Sequence, residues 1–310
     1  MNAAVSQTGG DAVVSPPEPL WSLAAVTQAT GIGAHTLRAW ERRYGFPKPL
    51  RLPSGHRRFT AEQVSRLRLI AQILAMGHRA GTIVPLPLEK LRHLLGGGLP
   101  IHSPALPTGQ FDALLEASYR YDREAVVEAF QGWWADLGLS AFLKERMAPL
   151  AQEIGTAWAE GRLDIRHEHF LTELMDDTLR SLRVPLEQAA AGRPLLLATL
   201  PGERHGLGLQ MAALTAVIHR RRVRLLGTQC PIPELLDAAF RLDASAVGLT
   251  VAGSSAFDDT ALAIGELRAK LPATVQLWLG GAGGGRLGDL PTGVLALPTL
   301  DDLERALATL

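Results

Sequence analysis

The chain has 310 residues, 47% of them hydrophobic and 20% charged, which suits a globular protein of two or three domains. Its longest apolar runs are too short to span a bilayer, and its single cysteine, Cys230, excludes an internal disulfide framework or a cysteine-rich zinc site. A net charge of zero conceals an asymmetry: residues 1–95 carry 12 Lys+Arg against 5 Asp+Glu, a net of +7, whereas residues 96–310 carry 19 against 26, a net of −7. That division suggests a basic module that meets a polyanion, joined to an acidic remainder.

Residues 1–19 are polar and rich in Gly and Pro, and read as a disordered tail. They lack the basic start and apolar run of a signal peptide, so a cytoplasmic protein with no membrane partner is expected. Residues 20–95 open with "LWSLAAVTQATGIGAHTLRAWERRYG", which predicts two short helices and a turn. Ser22 caps the first helix, "GIGA" turns the chain, and Gly45 ends the second. Two short helices joined by a glycine-containing turn form a helix-turn-helix unit. Arg38 and Arg42 lie four apart on one helix face, suited to phosphates and guanine edges. "PSG" then predicts a hairpin, or wing, with His56, Arg57 and Arg58 just past its tip. Thr60 caps an amphipathic helix beyond it.

The stretch "TLRAWERRYGFPKPLRLPSGHRRFTAEQVSRL" resembles the DNA-binding domain of MerR-type transcriptional regulators. "RAWERRYGFPKP" and "GHRRF" resemble more narrowly the CarH/LitR-like branch of photoreceptor repressors. The resemblance implies a winged-helix module that binds promoter DNA as a dimer or larger homo-oligomer. It assigns DNA contacts to Arg38, Trp40, Arg42, Arg43, Tyr44, His56 and Arg57.

Residues 96–109 read as a Gly/Pro/Ser-rich linker, and residues 110–191 as a bundle of about four helices. Phe130, Trp133 and Trp134 are expected to be core or helix-contact residues. "WAEGRLDIRHEH" places Trp158 at the close of one helix and Glu168 and His169 at the opening of the next. Taken alone, this is a surface acid–base pair beside a core tryptophan.

From residue 192 to 310, short apolar runs alternate with helical segments: "RPLLLATL", "VRLLGTQ", "AVGLTVAG", "VQLWLGG" and "TGVLALP" are the strands. The alternation predicts a doubly wound, Rossmann-like sheet of about five parallel strands. Ligands bind such sheets at the carboxyl ends of the strands, where "PGERHGLG", "TVAGSS" and "GGAGGG" fall. Cys230 is expected to be a small buried residue near that edge. Glu203, His205 and Gly208 form acid-x-His-x-x-Gly after the first strand; Thr250 follows, and then Gly280 and Gly281.

This pattern resembles the cobalamin-binding fold of methionine synthase and methylmalonyl-CoA mutase, with Glu203 where Asp is usual and Thr250 where Ser is usual. The resemblance implies that His205 is the lower axial ligand of cobalt and that Glu203 sets its tautomer. It also implies that the glycines admit the cofactor's nucleotide tail. The bundle then resembles the cap over the upper face of the cofactor, where Trp158, Glu168 and His169 match the CarH-like branch and imply adenosylcobalamin. In that branch a histidine that binds cobalt after illumination follows the tryptophan; here Ala159 has no donor atom. His167 or His169 stands near enough in sequence to substitute. The leading expectation is a light-responsive repressor, not an enzyme, in which the cofactor controls oligomerisation. The alternatives are a light-independent regulator or a sensor of another tetrapyrrole, and, in a different class, a methyl carrier or mutase component.

Overall fold

The computed structural model describes residues 20–75, 79–88, 90–91, 106–251, 257–281, 283–284 and 290–310. The expected tail 1–19, most of the linker 96–109, and parts of the "TVAGSS" and "GGAGGG" loops lie outside them. The chain divides into two compact units between Val64 and Ser65.

In the first unit, Ser22 accepts a hydrogen bond from the Ala25 amide at 3.1 Å and caps α1 (Leu23–Thr30). Gly31 closes α1 in the left-handed conformation, and Gly45 does the same for α2 (Ala34–Tyr44). Three short antiparallel strands follow the order β1 (Trp21–Ser22), β3 (Arg57–Phe59), β2 (Leu50–Arg51). The wing is therefore stitched to the residues that start α1. Val26, Ile32, Leu37, Trp40, Phe46 and Phe59 are buried beneath these elements.

Thr60 caps α3 (Ala61–Ala75), its Oγ1 accepting from the Gln63 amide at 3.2 Å. The division of the chain falls inside this helix, earlier than the boundary at 95–96 that composition suggests. The cause is visible in its second half: Arg66 donates to the carbonyls of Val84 and Leu86, and Arg68 reaches Asp164 at 3.3 Å.

The second unit begins its bundle with Gln110–Tyr119 and Arg123–Leu137, the latter capped by Asp122. Leu139–Phe142, a π-helical turn Leu143–Met147 and Ala148–Ala159 then run on without a break, and Ile165–Leu186 completes the set. Phe130 is fully buried, with Trp133 and Trp134 packed against the same core.

The sheet has β4 (Ala191–Ala198), β5 (Arg221–Gly227), β6 (Ala246–Thr250), β7 (Gln276–Gly280) and β8 (Val294–Leu297), all parallel, in the order β5-β4-β6-β7-β8. The chain leaves β4 for one edge and returns to its other side, so the topological switch point lies between β4 and β6. One face packs Leu207–Ile218 and Leu300–Ala308 into a core shared with the bundle. The other is covered by Ile232–Arg241 and Phe257–Lys270. Cys230 is buried on that side. No helix among the described residues is long and apolar enough to cross a membrane.

Candidate functional site

On α2, Arg38, Arg42 and Arg43 are exposed and form no ion pair among the described residues, while Tyr44 is half-buried with Arg43 stacked on its ring. They form a cationic ridge. Trp40, expected on the DNA-facing surface, is only 7% exposed. Leu37 and Trp40 are three apart and share the buried stripe of the helix, so Trp40 anchors α2 and does not present its ring to DNA. Arg57 donates from Nε to Glu41 at 3.0 Å, and Arg51 reaches the other oxygen of the same carboxylate at 3.3 Å. Glu41, which sequence reading passes over, thus holds the wing against α2. His56 is exposed at the wing tip, its ring 2.9 Å from the Ser54 hydroxyl.

The second candidate lies at the carboxyl edge of the sheet. Beyond β4, buried Thr199 donates its hydroxyl to the Glu203 carbonyl at 2.7 Å and accepts from the Gln229 amide at 2.9 Å. Gly202, at φ 90°, makes the turn. Glu203 is therefore held with its carboxylate inside the loop, 8% exposed. Its Oε1 accepts from the His205 amide at 2.9 Å and from the His205 Nδ1 at 2.5 Å. A carboxylate only accepts, so the ring proton sits on Nδ1 and Nε2 carries the lone pair of the neutral imidazole. The His205 side chain is 55% exposed, and Nε2 has no partner among the described residues.

The hydrogen bond to Glu203 raises the pKa of His205 above the ordinary 6.5, against the opposing effect of burial, with the charges of Glu203 and Glu168 adding to the rise. In the ligand-free protein the ring therefore holds a second proton more tightly, and Nε2 must shed it before it can bind a metal. A corrin brings four equatorial nitrogens to its cobalt, so one imidazole with a free Nε2 is the donor a protein has to add. The residues present fit that group.

The glycines have a nearer use than the expected one. A Cβ on Gly208 would lie 2.8 Å from Thr250 Cγ2; one on Gly281, at φ 83°, would lie 2.5 Å from the Val251 carbonyl oxygen. Their missing side chains let the helix Leu207–Ile218 and the end of β7 close on Thr250. Gly280 faces only ordinary contacts, although it pairs in register with Thr250. Glu203, His205, Gly208, Thr250, Gly280 and Gly281 thus share one edge.

Glu168 and His169 occupy the first turn of Ile165–Leu186, and Trp158 the last turn of Ala148–Ala159, partly buried against the shared core. Glu168 accepts from Thr172 at 3.1 Å and lies 3.3 Å from His169 Nε2; the His169 side chain is 69% exposed. His167 is a different kind of residue. It is buried between Tyr119 and Tyr121, its Nδ1 without a hydrogen-bond partner among the described residues, and burial lowers its pKa.

Residues 21–84 match the MerR HTH family regulatory proteins, and residues 110–183 match a B12 binding domain. The chain is 30% identical to the HTH-type transcriptional repressor CarH of Myxococcus xanthus over 271 residues, covering 86% of this chain and 90% of that one. It is 27% identical to the HTH-type transcriptional repressor CarA of the same organism, covering 83% and 85%. In fold it resembles the monomethylamine corrinoid protein of Methanosarcina barkeri, with a TM-score of 0.51 at 14% identity, over 64% of this chain and 98% of that one. The expected classes of methyl carrier and mutase component give way to a regulator. The chain belongs to the family of MerR-type transcriptional repressors that includes CarH: a DNA-binding, cobalamin-binding transcription regulator and not an enzyme.

Proposed function

We propose that this regulator senses cobalamin through His205, as the lower axial ligand of cobalt, and converts the state of the cofactor into DNA affinity through its oligomeric state. One observation carries the reading: a buried carboxylate fixes Nδ1 of an exposed imidazole at the switch-point edge of the sheet and leaves Nε2 without a partner among the described residues. Glu203 is the residue that orients the ligand and sets its basicity. Gly208, Thr250, Gly280 and Gly281 frame the loop against which the nucleotide tail runs.

Trp158, Glu168 and His169 cap the upper face of the corrin. Adenosylcobalamin is the form that this cap suits, because an indole gives stacking area to an adenosyl group and excludes water from the metal. That cofactor supplies a light-labile cobalt–carbon bond. On the DNA side, Arg38, Arg42 and Arg43 reach the major groove, Tyr44 and His56 contact the backbone, and Arg57 supports the wing. The protein acts in the cytoplasm as a dimer or tetramer, bound cofactor changes the assembly, and assembly multiplies the affinity of single modules.

A second reading has its own observation. Ala159 offers no donor atom beside Trp158, so a regulator that works without light, or one tuned to another tetrapyrrole, needs no change elsewhere in the site.

The test is a visible-absorption titration of the purified chain with adenosylcobalamin in the dark, followed by size measurement before and after illumination. Uptake with a spectrum that His205→Ala alters supports the proposal. Uptake with an identical spectrum in both proteins overturns ligation by His205, and an unchanged size on illumination selects the second reading.

A further inference from the structure

The acidic part of the chain contains a stretch that its function leaves unused: His219-Arg220-Arg221-Arg222-Val223-Arg224, at the start of β5. We propose that this arginine-bearing edge strand is a second contact surface for the phosphate backbone of duplex DNA. The inference rests on the DNA binding established by family, and not on the reading of His205.

Its first support is charge. Among the described residues from 106 onward, the lysines and arginines ion-pair with carboxylates, with six exceptions: Arg204, Arg220, Arg221, Arg222, Arg224 and Arg268. Arg268 is spent on the carbonyls of Leu271, Pro272 and Val275. Four of the remaining five stand within five residues of one another. A segment with a net charge of −7 has carboxylates to spare, yet among the described residues none forms an ion pair with these guanidinium groups.

Its second support is position. β5 ends the sheet and is hydrogen-bonded to β4 alone. Side chains alternate along a strand, so Val223 turns inward to the core while Arg222 and Arg224 share the opposite, exposed face. Two residues of strand advance about 6.6 Å, which spaces the two guanidinium groups along a line rather than bundling them. Arg220 is exposed in the turn before the strand, held at φ 57°. Arg224 Nη1 donates to the Val223 carbonyl, and its other donors have no partner among the described residues.

Charged residues on an edge strand also deter edge-to-edge pairing. That role asks for one or two charges and is served by either sign. A row of forked cations with no anions among them matches a run of phosphates, whose oxygens accept bidentate hydrogen bonds. Duplex DNA is the polyanion this chain already holds, so it is present at high local concentration. An acidic face of a second copy is the competing occupant.

The experiment is the salt dependence of affinity for a random-sequence duplex of about 40 base pairs, using the full chain. Each lost phosphate contact makes the slope of log K against log salt shallower by about 1. Arg222→Ala with Arg224→Ala is expected to reduce the slope by about 2 per bound protomer and to weaken binding to all sequences alike, while the paired lysine substitutions keep the slope. Circular dichroism checks that the alanine pair is folded, and the paired glutamine substitutions replace it if it is not. An unchanged slope in a folded neutral variant overturns the proposal. An unchanged slope with an altered sedimentation coefficient also overturns it and assigns the strand to contact between copies. The assay needs no cofactor, so failure of the His205 reading leaves its outcome intact.

Discussion

Two of the glutamate–histidine pairs of the second unit, Glu203–His205 and Glu168–His169, are built differently. At the sheet edge the carboxylate is buried, bonds the near nitrogen Nδ1 at 2.5 Å and is fixed by the Thr199 network behind it. In the bundle the Glu168–His169 pair engages the far nitrogen Nε2 at 3.3 Å, on a helix surface with the imidazole mostly exposed. The first arrangement preorganises one nitrogen as a donor and presents it outward. The second engages Nε2 itself, on a ring that is mostly exposed. Similar sequence, acid near histidine, therefore gives an oriented imidazole in one place and a more exposed polar contact in the other; what decides is whether the carboxylate is locked in place.

The largest expected effect removes the frame of the first pair. Gly281→Ala places a Cβ against the Val251 carbonyl at a positive φ, and should cost about 3 kcal/mol in urea unfolding. A loss under 1 kcal/mol would show that this edge yields easily and is not preorganised. Next, Glu203→Gln should weaken cobalamin affinity by about 10- to 100-fold. Glu168→Gln, in the more exposed pair, should change it by no more than about fivefold. Equal losses in the two variants would erase the distinction between the pairs. On the DNA side, Arg38→Ala or Arg42→Ala should cost about 1–3 kcal/mol and relax operator preference, measured against random duplex.

The smallest effect concerns the joint between bundle and sheet. Lys144, in the π-helical turn, reaches Asp301 at 2.8 Å and Glu304 at 3.1 Å, and Ser140 donates to Glu304 at 2.6 Å. Burial pushes the Glu304 carboxyl up, but the hydrogen bonds from Ser140 and Lys144 and the charges of Lys144 and His219 outweigh it and hold its pKa below 4.5. A depressed carboxyl stabilises the fold above its unfolded value, and that contribution disappears as pH falls below about 4.5 through the folded value. Glu304→Gln should lower stability at pH 7 by about 1 kcal/mol and flatten the acid limb of the stability curve. An acid limb identical to that of the parent would contradict this.

Much of this was legible in the sequence. Ser22, Gly45 and Thr60 announce helix ends by local chemistry, and five apolar runs between helical segments announce a parallel sheet, because these signals act within a few residues. Acid-x-His-x-x-Gly marked the carboxyl edge of the sheet for the same reason. What escaped depends on contacts far apart in sequence. β1 is two residues long and has no period to read; it exists because Trp21 and Ser22 pair with Phe59 and Arg58. Trp40 was assigned to DNA by resemblance, yet its three-residue spacing from Leu37 places it in the core. Glu41 shows its role only when the wing folds back onto α2. The close approach of Gly208 and Gly281 to the Thr250–Val251 segment appears only once β4, β6 and β7 are adjacent.

The central claim is that His205 supplies the protein's nitrogen to cobalt. The most direct measurement is the visible spectrum of cobalamin bound to the parent, to His205→Ala and to the matched control His169→Ala. The account predicts that His205→Ala shifts the spectrum and weakens binding at least about tenfold, while His169→Ala leaves the spectrum of the parent. A parental spectrum in His205→Ala, or a shift confined to His169→Ala, would contradict it.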